Sequence, residues 1–381
     1  MVAPVAIVGV YQTKYDSVPQ GKTLEEMIFF AVKSLLDNTG ADIKSVDSIV
    51  TSSSDQIDGR AIPMMLTSGP AGAELKDLIN TSGASEHALI LAYLRIVSGV
   101  FDNALVVSWT KSSEIDLPEV ENLSADPFYE RDIGLTVPMA NAMQVSQYVN
   151  RFNVPAEAAA QVVHKNRGNA LNNPIAHLRK AVTVDEAMAS RVLSWPLREL
   201  DVPPQSDGVC AMLLASEEKA HLFGKSPAWI KGVGWAADTY WIGDRELSGI
   251  PSLVSAARRA YGMAGITDPV AQLDVAELHD ITSYHELMEY EALGFCGPGE
   301  GATLVKKGIT GMNGTLPVNP SGGVLSSNPV FASGLARAAE AALQVMGKAE
   351  GRQVHGVKTA LAQAVSGFAG QISSVFILGK E

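Results

Sequence analysis

The sequence predicts a mixed α/β fold in which one structural unit is used twice. Three observations carry that prediction. Apolar strand patterns alternate with amphipathic helix patterns along the chain, as a sheet covered by helices requires. An Ile-x-Gly-Val motif occurs at Ile7–Val10 and again at Ile230–Val233. Behind each copy the same kinds of element follow in the same order.

The first unit opens with a strand at Val5–Val10, the second with one at Ala228–Val233. Each leads to an amphipathic helix, about Leu24–Asn38 with Met27, Ala31, Leu35 and Leu36 at helical spacing, and about Leu253–Met263. Gly40 and Gly265 stand where a left-handed cap would stop these helices. A second strand follows each, Val46–Val50 and Leu273–Leu278, with Asp47 and Asp274 in register. A Gly/Ser loop and an Ala-rich helix come next: Thr81–Ser85 into Glu86–Ser98, and Ser321–Gly323 through Gly334 into Leu335–Met346. Both units close on two apolar strands, Ala104–Val107 and Gly208–Leu214 in the first, Ala360–Val365 and Ser374–Leu378 in the second. The halves divide at 1–222 and 223–381, and about 110–205 has no counterpart in the second half. Prolines punctuate that insertion, from Pro118 to Pro204, as expected of loops and short helices. Such halves would pack about a pseudo-twofold axis, with a mainly parallel sheet covered on both faces.

The apolar content of 46% supports a large core. A net charge of −12 with scattered Lys and Arg argues against a nucleic-acid partner, since phosphate binding needs clustered cations. The two cysteines, Cys210 and Cys296, are too few for a disulfide framework and fit a reducing compartment. Met1–Gly9 runs into a strand pattern without a basic segment or cleavage site, and no apolar run reaches membrane-spanning length. A cytoplasmic protein is expected.

Chemistry is expected in loops where the halves meet. Gly/Ser loops feeding helix N-termini present free N–H groups to an anion or a developing oxyanion. Asn319–Pro329 is the strongest such loop and Asn80–Ser85 the second; neither matches a nucleotide-binding motif. Ser82 and Ser85 are as readily simple helix caps. His279 ends a strand, where it serves either as an acid–base group or as a structural hydrogen-bonder. Tyr284 and His285 belong to the next helix. No Cys/His spacing suits a metal, and Cys296, in Gly294–Gly297, reads as structural.

At these residues the chain resembles the thiolase superfamily, and within it the sterol-carrier-protein-type and lipid-transfer-protein-like members. Val5–Gln12, Ser206–Cys210, Glu277–Asp280, Leu293–Glu300 and Leu316–Gly323 carry the resemblance, which covers essentially the whole chain. It implies a duplicated α-β-α-β-α fold and a homodimer, with its contact expected beside Ala104–Val107. It further implies a coenzyme A thioester as substrate, with no permanently bound cofactor, and a small OB-fold, zinc-ribbon partner protein. By the same resemblance, Ser82 replaces the nucleophilic cysteine and should open the Ala-rich helix. His279 is retained, Ile281 replaces a second cysteine, and Asn328 replaces the histidine that activates the nucleophile. Serine needs an adjacent base, and Asn328 is not one. The oxyanion features are the Gly322-Gly323 and Gly367 loops and His279. Tyrosines used by the aldolases of this group are matched by His279 and Phe331, with Tyr284 nearby. The resemblance therefore implies retro-aldol cleavage of a β-hydroxyacyl-CoA, carrying a sterol side chain or similar lipid, without a covalent acyl-enzyme. The alternatives are an acyltransferase using Ser82 or Cys296, and a catalytically silent coenzyme A-binding subunit.

Overall fold

The computed structural model describes residues 4–17, 21–59, 62–223 and 226–381, so Met1–Ala3, where the segment read for a leader begins, lie outside it. The two sequence motifs become strands β1 (Val5–Gln12) and its counterpart in the second half. The first half continues with helix α1 (Leu24–Thr39), β2 (Ser48–Ser53), β3 (Asp77–Ser82), α2 (Ser85–Val97) and β4 (Asn103–Thr110). The three longest helices of the insertion follow: α3 (Leu117–Leu123), α4 (Val137–Phe152) and α5 (Ala156–Ala170). Then come β5 (Gly208–Ser216), β6 (Ala228–Ala237), α6 (Pro251–Ala264), β7 (Val275–Glu277) and α7 (Ser283–Ala292). The chain ends with α8 (Ser333–Met346), β8 (Thr359–Ser366) and β9 (Ile372–Gly379).

These nine strands form one sheet in the order β3-β2-β4-β5-β1-β6-β9-β8-β7, and Val192–Ser194 pairs with Leu197–Arg198 in a separate two-stranded sheet of the insertion. Reading outward from the β1–β6 junction, the first half runs β1, β5, β4, β2, β3. The second runs β6, β9, β8, β7 and ends on a parallel bridge from Ala276 to Val318. The two halves are therefore symmetric about that junction. The sheet is not mainly parallel: only β2–β3, β2–β4 and β7–β8 pair parallel, and the remaining five neighbours pair antiparallel. A helix between two strands makes them parallel only if they become neighbours. β1 and β2 flank α1 but lie apart in the sheet, while the tight loop at 367–371 reverses the chain between β8 and β9.

Three apolar clusters define the layers. α1 packs on one face of the first half through Leu24, Ile28, Val32 and Leu35. α2 and α8 share a central layer with strands of both halves. α6 and α7 cover the outer face of the second half. The result is the α-β-α-β-α order. The repeated motif glycines explain how these layers close. A methyl on Gly9 would meet Thr39 Cγ2 at 2.2 Å, and one on Gly232 would meet the Ala260 carbonyl oxygen at 2.2 Å. Each glycine thus lets its helix lie directly on its strand. The repeated aspartates also act alike: Asp47 Oδ2 accepts from the backbone N–H of Asp102, and Asp274 Oδ2 from those of Lys358 and Thr359. Each holds the chain entering the neighbouring strand.

β3 is a partly exposed edge strand that sequence periodicity missed, because Asp77–Ser82 lacks an apolar alternation. β4, expected beside a dimer contact, is flanked on both sides by β2 and β5, so the free edge of this half is β3. Among the described residues no helix is long and apolar enough to cross a membrane, and no group of His, Cys, Asp and Glu could hold a metal.

Candidate active site

Five of the residues singled out above, His279, Ile281, Asn328, Phe331 and Gly367, line one cavity of about 320 Å³. It lies where the N-terminal ends of α2 and α8 meet the C-terminal ends of β7 and β8. These helix starts are tied together: Ser85 Oγ accepts from the Leu335 N–H at 2.8 Å, so Ser85 caps the helix of the other half and not its own. Thr110 at the end of β4 donates to the Pro329 carbonyl and accepts from the Phe331 N–H at 3.2 Å, fixing the wall between them. Val330 in that wall has φ +26°, a strained value for a branched residue. Helix α3 of the insertion supplies Leu117, Val120 and Glu121, and the remaining walls are largely apolar, including Ile57 and Phe368.

His279 is buried, and burial lowers its pKa to about 3, with Arg337 and His285 acting in the same direction. The ring is therefore neutral. The Val365 N–H donates to its Nδ1 at 3.4 Å, which places the ring proton on Nε2. Its own backbone N–H donates to Gln363 Oε1 at 2.7 Å. His279 thus offers a fixed N–H donor and not a proton acceptor. Asn328 accepts from Ser333 Oγ at 2.7 Å through Oδ1, which leaves its amide NH2 as donor. Gly367, with φ +76°, opens the loop after β8 that forms another wall.

The other expected site residues lie elsewhere. Ser82 is exposed at the last position of β3 and does not line the cavity; α2 begins three residues later, at Ser85, after Ala84. Gly322 and Gly323 pack against Ala170 and the Asp280 carboxylate. Their N–H groups are used locally, on the Asn319 carbonyl at 2.9 Å and Ser321 Oγ at 3.2 Å. Tyr284 is buried against Ala142, Val145, Ala159 and Leu197. Neither cysteine lines the cavity: Cys210 is in the core of β5, and burial pushes the Cys296 thiol up to about 12.

Two carboxyl groups of the cavity escaped sequence reasoning. Glu86, the second residue of α2, is 2% exposed, and burial raises its pKa to about 7 against its own backbone N–H and the Ser366 hydroxyl. Its signal was present: it shares a helix face with Leu89, Ile90 and Tyr93, all buried. Glu121 on α3 is likewise raised to about 7 by burial, opposed by the Val137 N–H that donates to it at 3.2 Å. Among the described residues, no Lys or Arg lines the cavity.

Residues 234–380 match the thiolase C-terminal domain-like family model. The acetyl-CoA acetyltransferase of Methanothermobacter thermautotrophicus is 29% identical over 374 residues, 96% of this chain and 97% of that protein. Human sterol carrier protein 2 is 32% identical over 310 residues, 77% of this chain and 56% of that protein, so the chain spans about half its length. Among solved structures, the Ltp2-ChsH2(DUF35) aldolase matches with a TM-score of 0.87 at 22% identity, covering 100% of this chain and 99% of that one. A monomeric SCP2-thiolase-like protein type 1 of Mycobacterium smegmatis matches at 0.75 and 18% identity, covering 100% and 78%.

Proposed function

We propose that this chain, which belongs to the thiolase superfamily, cleaves a carbon–carbon bond of a β-hydroxyacyl-CoA by a retro-aldol step without a covalent acyl-enzyme. The single observation that carries the reading is a cavity with neutral donors, His279 Nε2–H and the Asn328 amide, and no thiol. A thiolase-type acyl transfer needs an activated nucleophile, and Ser82 is outside the cavity with no base beside it among the cavity groups. A retro-aldol step needs a stabilised thioester enolate, which preorganised neutral N–H donors supply in a site shielded from water. The apolar walls suit a lipid-like acyl group, sterol side chain or similar, with coenzyme A as the carrier.

The likeness to an aldolase assembled with a DUF35 protein supports, at the level of fold, a small partner protein for this chain too. A homodimer in the cytoplasm completes the proposal, its copies meeting along the free β3 edge. The test is to incubate the purified protein, alone and with such a partner, with β-hydroxyacyl-CoA and with β-ketoacyl-CoA plus coenzyme A. Release of a shortened acyl-CoA and a ketone or aldehyde from the first supports the reading. Thiolysis of the second, or an acyl adduct in the intact protein mass, overturns it.

A further inference from the structure

Resting on the retro-aldol reading, we propose that the Glu86 carboxylate is the catalytic base that takes the 3-hydroxyl proton. Glu86 lines the same cavity as His279 and Asn328, and its Oε1 makes no hydrogen bond although the residue is 2% exposed. A buried carboxylate oxygen left without a partner is costly, so the partner of Oε1 is expected to be the substrate.

The other buried acids near the centre of the molecule are treated differently. Glu277 is paired with Arg337 at 2.7 Å, Glu340 with Arg352 at 2.7 Å, and Glu286 with Lys165 at 3.0 Å. Glu289 also has unpartnered oxygens, but it does not line the cavity. Glu86 alone among these carboxyls faces the cavity. Space has been made for it: a methyl on Gly334, the second residue of α8, would sit 2.2 Å from Glu86 Oε2. The carboxyl therefore lies flush on the start of the opposite helix, beside the Ser366 hydroxyl.

His279, Asn328, Glu121 and Tyr240, which also line the cavity, accept the proton less well, and burial raises the Tyr240 phenol so that it stays protonated. Nδ1 of His279 is occupied by the Val365 N–H and its Nε2 already carries hydrogen. Asn328 has no basic atom. Glu121 is half-buried and already accepts from Val137 at the start of α4. Burial places Glu86 near pH 7, where a base combines adequate ionisation with the strongest proton affinity.

In the step, the 3-hydroxyl proton passes to Glu86 and the C3–O bond becomes a carbonyl. The C2–C3 bond breaks, and its electron pair forms the thioester enolate, whose oxygen is held by His279 Nε2–H. The proton on Glu86 then returns to C2. The products are a shortened acyl-CoA and a ketone or aldehyde, with no net oxidation and no co-reactant.

The experiment compares wild type and Glu86→Gln, as the full chain with any partner required, on one β-hydroxyacyl-CoA substrate. The expected result is a kcat reduced about 10²–10⁴-fold, with KM changed less than about threefold. Wild-type kcat should rise through about pH 7, and that rise should vanish in the variant. A Glu86→Gln protein within tenfold of wild type, with the same pH profile, overturns the proposal. If the variant does not fold, the wild-type profile still decides, because a kcat flat from about pH 5.5 to 8.5 excludes a base of this kind. A wild type that binds the thioester but releases no cleaved product overturns the retro-aldol reading itself, and this assignment with it.

Discussion

The Val365 backbone N–H donates to Nδ1 of His279 across the β7–β8 pair, and this one bond decides what the histidine can do. It fixes the ring as a donor through Nε2, so of the roles the sequence left open for His279, acid–base group, structural hydrogen-bonder or oxyanion donor, the bond favours a donor over a proton acceptor. His279→Ala should lower turnover by roughly 10²–10³-fold, as loss of one preorganised oxyanion donor does. Thioester binding, measured by calorimetry, should weaken far less. Unchanged turnover would remove His279 from the mechanism.

Ser82→Ala should leave turnover within about tenfold of wild type, since positioning alone is at stake. The residue is exposed at the end of the edge strand and is not among the residues lining the cavity. An acyl adduct mapped to Ser82 by peptide mass spectrometry would contradict this expectation and revive acyl transfer.

Glu86 also predicts how stability depends on pH. Its folded-state pKa is raised from 4.5 to about 7, so between those values the folded chain holds a proton that the unfolded chain has released. Stability is therefore lost as pH rises across this window, by up to about 3 kcal/mol at the alkaline end. Glu86→Gln removes that loss. Its melting temperature should exceed the wild type's by several degrees at pH 8, and the difference should close by pH 5. A difference independent of pH would show that burial does not perturb this carboxyl.

Glu121 and Glu86 make the cavity acidic above about pH 7, where both ionise, and among the described residues no Lys or Arg lines it. Acyl groups ending in a carboxylate should therefore bind poorly compared with neutral ones of equal length, through like-charge repulsion in an apolar site. Glu121→Gln should narrow that preference by about tenfold in KM. Equal KM values for both acyl types in the wild type would show that the acyl chain does not reach α3.

The motif glycine of the second half predicts a contrast within one helix–strand contact. Gly232→Ala drives a methyl to 2.2 Å from the Ala260 carbonyl oxygen, and should destabilise by about 1–3 kcal/mol or more in a urea titration. Gly262→Ala, in α6 itself and with nothing within 4 Å, should instead stabilise by about 0.5–1 kcal/mol. Equal effects would mean that the close approach of α6 to β6 is not what selects Gly232.

By itself the sequence determined the duplication and most of the elements, because helical and strand periodicities are local and the repeated Gly9/Gly232 and Asp47/Asp274 pairs do the same work in both halves. His279, Ile281, Asn328, Phe331 and Gly367, which it singled out from separate segments, share one cavity, each lying in or beside a loop at the end of an element. What it could not decide were relationships across the chain. Strand direction depends on which strands become neighbours, so the expected mainly parallel sheet became one with five antiparallel pairs. Ser82 and Ser85 differ by one helical turn in sequence, but only tertiary packing leaves the first exposed and spends the second on capping α8. Glu86 reads locally as an ordinary acid in the first turn of a helix. Its burial against Gly334, some 250 positions away, is what turns it into a perturbed carboxyl, because desolvation is imposed by distant residues and leaves no mark in local spacing.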